Sequence, residues 1–77
     1  MGKINNKQDN YHYIKDITKI LELSYSTVEK MFEKEIIPGE KINNEWRIAE
    51  PIFYEWRHTH KAIMSLKLIR ANKNKWL

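Results

Sequence analysis

From Ile14 through Arg47 the chain places three structural signals in a short stretch, and their order restricts its folds more than its length does. Ile14, Ile17, Ile20 and Leu21 repeat on one helical face, and Asp16 suits the dipole of a first turn, so a helix is predicted over about 15–22. Ser24 can cap a second helix whose apolar side is Val28, Met31 and Phe32. That helix should end at Lys34 or Glu35, where Ile36-Ile37-Pro38-Gly39 brings β-branched residues and turn formers. Lys41-Ile42 and Trp46-Arg47-Ile48 then read as short strands about Asn43-Asn44, since asparagine tolerates the left-handed backbone of a tight hairpin turn. The apolar spacing of Ile17, Leu21, Leu23, Val28 and Met31 makes the two helices pack crosswise through a short corner. Such a corner holds one helix outward, an arrangement commonly used to read nucleic acid.

Glu50-Pro51 opens a further helix, proline being acceptable in a first turn. Its apolar stripe is Ile52, Phe53, Trp56, His60 and Ile63. At about 100° per residue, continuing that helix puts Lys67 and Arg70 on the former core line, with Leu66, Leu68 and Ile69 on another side. Past Ile63 the helix is therefore expected to leave its own domain, its new apolar face covered by something else. The expected organisation is a flexible polar leader over 1–11, one domain over 12–58, and a basic, partly apolar helical extension over 59–77.

A chain of 77 residues supports one small domain. It has no cysteine, which excludes disulfides, thiolate zinc sites and thiol nucleophiles. No stretch reaches the roughly 20 apolar residues of a membrane span, and residues 1–10 lack the apolar core of a signal peptide. A cytoplasmic, nucleoid-associated location is the corresponding expectation. Lysine and arginine total 14 against 10 acids, a net charge of +4, but the excess is uneven. Residues 1–40 carry six lysines and seven acids, whereas 41–77 carry eight basic residues and three acids. From Arg57 onward there are six basic residues and no acid. Such asymmetry points to a polyanion engaged mainly by the second half, or else to a solvated basic face.

The order of these pieces resembles the excisionase-type winged helix-turn-helix proteins, relatives of the DNA-binding domains of MerR-like regulators. The family pattern has a helix x-x-E-A-A-x-x-L-G-V-S, a second helix opening S-x-x-T-V, an exit Gly-x-(I/L)-Pro, a hairpin ending W-R-(I/F), and a helix closing on Trp. Here the matching stretches are Ile14 to Ser24, Tyr25-Ser26-Thr27-Val28, Glu35-Ile36-Ile37-Pro38, Trp46-Arg47-Ile48 and Glu55-Trp56. The resemblance spans Tyr13 to Trp56. It implies a mainly α winged helix-turn-helix: two short helices, a small β-hairpin wing and a longer C-terminal helix. Three positions depart from the pattern: Thr18 stands for a small residue, and Glu22 and Glu35 stand for glycines, implying an altered corner.

On this reading the second helix enters the major groove of double-stranded DNA. Ser24 and Ser26 are the candidates for phosphate, and Tyr25, Thr27, Glu29 and Lys30 for base edges, with Lys34 at the far end of the same interface. Ser24 acting as a cap alone, and Thr27 merely tightening the turn, are the simpler alternatives. Because Glu29, Lys30, Glu33, Lys34 and Glu35 leave that helix without basic excess, phosphate neutralisation falls to Lys41, Asn43, Asn44 and Arg47 on the wing. The alternative for Arg47 is a surface ion pair with Glu45 or Glu55. Trp46, alternating with Arg47, is placed inward against the third helix. Lys67 and Arg70 are assigned to phosphate as well. Leu66, Leu68 and Ile69 are assigned to self-association or to cooperative assembly on DNA. His58 and His60, two apart, point about 200° away from each other, unlike the i, i+4 pair of a helical metal site. No metal, cofactor or enzymatic activity is expected. The function expected is that of an architectural or directionality factor for recombination, or a local transcriptional regulator of a mobile element. A protein-interaction module that no longer reads DNA is the alternative.

Overall fold

The computed structural model describes residues 10–71, so most of the polar leader and the lysines at 73 and 75 lie outside it. Within that span the chain is mostly helical with one three-stranded antiparallel sheet. Its elements are β1 (Tyr11–Tyr13), α1 (Ile14–Leu21), α2 (Tyr25–Glu33), β2 (Glu40–Ile42), β3 (Glu45–Ala49), α3 (Glu50–Arg57) and α4 (His60–Ala71). No helix of the described residues is long and apolar enough to cross a membrane.

α1 begins where the Tyr13 amide donates to the Asp16 carboxylate at 2.8 Å, so Asp16 caps the helix as well as complementing its dipole. Ile14, Ile17 and Leu21 are buried along it. It ends at Glu22, whose φ of 58° is left-handed, and the amides of Glu22 and Leu23 both donate to the Thr18 carbonyl. Glu35 does the same at the exit of α2, with φ 61° and the Ile36 amide donating to the Met31 carbonyl at 2.8 Å. Glycine is the usual occupant of such positions because a Cβ is penalised there. Glutamates therefore hold left-handed backbone at both helix ends, Glu22 in the corner and Glu35 at the exit of α2.

The hairpin follows its sequence signal closely. Asn43 (φ 53°) and Asn44 (φ 67°) are both left-handed, the requirement of a two-residue turn that matches strand twist. Gly39 lets the chain pass into β2, because a Cβ there would collide with the Phe32 ring and lie 2.6 Å from the Arg47 carbonyl oxygen.

Three expectations are corrected. First, Tyr11 belongs to a strand and not to a flexible leader: β1 pairs with β3 through Tyr11↔Ala49, His12↔Ile48 and Tyr13↔Arg47, giving the order β1-β3-β2. Second, the single long C-terminal helix is two. Thr59 Oγ1 donates to the Trp56 carbonyl at 2.7 Å and accepts the Ala62 amide at 3.1 Å, closing α3 and capping α4. The interruption shifts the helical phase, so Ala62, Leu66 and Ile69 face the core while Ile63 stands 50% exposed; Ile52, ahead of the break, is 47% exposed beside the buried Phe53 and Trp56. The extension therefore stays in the domain. Leu66 and Ile69 are filled into it and are not free to pair protomers; of that trio Leu68 alone is exposed. Third, the stacking partner of Trp46 is Phe32 of α2, with ring centroids 5.3 Å apart and planes 11° from parallel. Ile48 is the fully buried side chain of β3.

Candidate nucleic-acid interface

The first turn of α2 is built from hydroxyls. Ser24 Oγ accepts the Thr27 amide at 3.2 Å and lies 2.9 Å from Thr27 Oγ1, to which it donates. Ser26 Oγ lies 3.4 Å from Ser24 Oγ. Ser24 is thus the N-cap of α2, with the Thr27 hydroxyl held against it. Ser26 and Tyr25 remain exposed at the helix start, and Lys30 and Lys34 are exposed farther along. Glu29 is half-buried.

Between α2, the start of α1 and the hairpin lies a cleft of about 410 Å³. It brings together four residues singled out from the sequence: Tyr25, Glu29, Lys41 and Asn44. It also recruits Lys15 and Trp46, which sequence reasoning had treated as helix start and core, together with Tyr13. Lys15 owes its place to the turn from β1 into α1, a junction invisible until β1 is known. Lys41 and Trp46 are cross-strand partners, and the Lys41 ammonium sits 5.6 Å from the Trp46 ring centroid, so a cation–π contact helps orient it. Trp46 Nε1 is buried and finds no acceptor among the described residues. Glu29 and Glu45 add negative charge to the same lining, so the cleft is mixed rather than uniformly basic.

Arg47 lies on the other face of the sheet. Its Nε donates to Glu40 Oε2 at 3.0 Å, and its guanidinium carbon is 3.9 Å from the centroid of the Tyr11 ring. The ion pair anticipated with Glu45 or Glu55 is thus made with Glu40. Desolvation alone would lower the Arg47 pKa; Glu40, with Tyr13 and Tyr11 beside it, overrides that and raises it above the ordinary value. Asn43 stands exposed at the hairpin turn.

Lys67 and Arg70 are apart from this cleft. With Arg57 they border a second groove of about 590 Å³ floored by Ile63 and Leu66. Arg70 Nη2 donates to the Leu21 carbonyl at 2.9 Å, tying α4 to the C-terminal end of α1. That helix-capping role went unread in the sequence, where Arg70 was one more cation. Arg57 was missed as a groove residue, although it begins the acid-free run.

Two of the three histidines, His58 and His12, each face a neighbouring oxygen. His58 Nδ1 lies 2.8 Å from the Tyr54 carbonyl, and His12 Nε2 lies 3.8 Å from Glu50 Oε2 with its ring edge-on to Phe53. Among the described residues no group of three His, Cys, Asp or Glu side chains is placed to hold a metal ion. No protein-family model, curated protein or solved structure matches the chain.

Proposed function

We propose that the protein binds duplex DNA as an excisionase-type winged helix-turn-helix protein, with α2 as the recognition helix and the β2–β3 hairpin as the wing. The observation that carries this reading is the cleft between α2 and the hairpin, which sets Lys15 and Lys41 beside Tyr25 and Asn44. A helix in the major groove and a hairpin on the neighbouring backbone or minor groove leave one phosphate strand running between them. Lysines, a phenol and an amide are suitable donors for that strand. α2 itself mixes Glu29 and Glu33 with Lys30, a composition suited to discriminating base edges, where a carboxylate accepts from a cytosine or adenine amino group. In the cell the protein would act as an architectural or directionality factor for recombination, or as a local transcriptional regulator of a mobile element.

A second reading has one observation in its favour. Glu29 and Glu45 lie in the same cleft as the lysines, and a charge-balanced cleft also suits a protein partner with paired charges.

Selection of duplexes from a random pool, followed by fluorescence anisotropy at two salt concentrations, tests the proposal. The wild-type chain should enrich defined sites and bind them with marked salt dependence. Lys41→Ala with Arg47→Ala should weaken binding and lower the log–log salt slope by about two. A recovered direct repeat favours the architectural role, and an inverted repeat favours the regulator. Absence of enrichment, with background affinity indifferent to the double substitution, favours the protein-interaction module.

A further inference from the structure

We infer that Glu40 and Tyr11 are positioning residues that hold Arg47 ready for DNA, so that the wing presents a preset guanidinium instead of a mobile charge; this rests on the DNA-binding reading above. β3 is the central strand, and Arg47 is opposite Tyr13 on one side and Glu40 on the other. Since strand side chains alternate, Tyr11, Tyr13, Glu40 and Arg47 share one face of the sheet, while His12, Trp46 and Ile48 occupy the core face. Two contacts then constrain Arg47 in different directions. The Nε–Oε2 hydrogen bond of 3.0 Å fixes the guanidinium within its plane, and the Tyr11 ring 3.9 Å from the guanidinium carbon limits motion along the normal. The side chain is laid down on the sheet, 25% exposed, whereas Glu40 stands farther out at 52%.

The Glu40 bond takes Nε and does not consume the two Nη groups, which are the paired donors that suit a phosphate. An unrestrained arginine loses rotamer freedom on binding, and a restrained one has already lost it. Glu40 is also an acid on a strand proposed to face a polyanion. By charge alone its removal should tighten binding; by positioning its removal should weaken binding. The sign separates the two.

The test is the affinity of the full chain for its best selected duplex, with Glu40→Ala, Glu40→Gln, Tyr11→Phe and Tyr11→Leu, and with Glu40→Ala repeated in an Arg47→Ala background. ¹⁵N NMR of the Arg47 Nε–H group in the free protein reports its immobilisation independently of DNA. Glu40→Ala should weaken binding roughly threefold to tenfold although the net charge becomes more positive, the size of one side-chain ordering cost. Glu40→Gln, which keeps an oxygen acceptor, should lose less. Tyr11→Leu should resemble Glu40→Ala, and Tyr11→Phe, which keeps the ring, should lose less. With Arg47 already removed, Glu40→Ala should cause no loss. Tighter binding by Glu40→Ala in the presence of Arg47, or an Arg47 Nε–H signal unchanged by it, overturns the positioning role alone. A wild-type chain that binds no duplex overturns the DNA reading and this role together.

Discussion

The hairpin and the C-terminal helix each offer one arginine, and the two are held differently. Arg47 is paired to a carboxylate on an adjacent strand and stacked on a ring. Arg70 gives an Nη group to the main chain at the end of α1, joining residues far apart in sequence. A count of cations treats them alike. The geometry makes one an oriented surface donor and the other a helix cap, so the acid-free C-terminal region holds the domain together as well as carrying charge.

The largest expected effect tests whether α4 is part of the domain. Ile69 is 1% exposed, and Ile69→Ala should cost about 2–4 kcal/mol of stability in urea or thermal unfolding. Truncation after Lys61 would remove Ala62, Leu66 and Ile69 at once and should abolish cooperative unfolding. A stable truncated chain would return α4 to the status of an appendage. Next, Arg47→Ala should weaken DNA binding about tenfold and lower the salt slope by about one, leaving the melting temperature nearly unchanged. Arg70→Ala should do the reverse, costing about 1 kcal/mol of stability while the salt slope stays at its wild-type value. Equal loss of slope in both variants would erase the contrast between the two arginines. The smallest effect concerns the corner: Glu22→Gly should stabilise the fold by up to about 1 kcal/mol, read from the shift in denaturant midpoint. A destabilised variant would mean that the glutamate side chain makes a compensating contact.

Local signals were the legible ones. Ser24 announced the start of α2, and Asn43-Asn44 announced the hairpin, because capping and left-handed turns depend on residues next to each other. β1 was not legible, since three residues show no useful period and their partner lies far along the chain. The α3–α4 break had a signal in Thr59, a good N-cap, but carrying one helical phase across it hid the stop. From that one slip followed the misplacement of Leu66 and Ile69 outside the domain and of Ile63 inside it. The cleft was half legible. Its α2 and hairpin members were named from motif order, whereas Lys15 and Tyr13 depend on the β1–α1 junction, which only non-local pairing creates.

The strand order has a mechanical consequence. β3 is flanked by β1, and the Asn10 carbonyl accepts the Glu50 amide at 3.1 Å, so the first described residues clamp both the inner rail of the hairpin and the start of α3. A load applied at Asn10 would pass as shear through the three β1–β3 pairs directly into the strand that carries Arg47. A tether fixed at Asn10 would therefore load the hairpin itself.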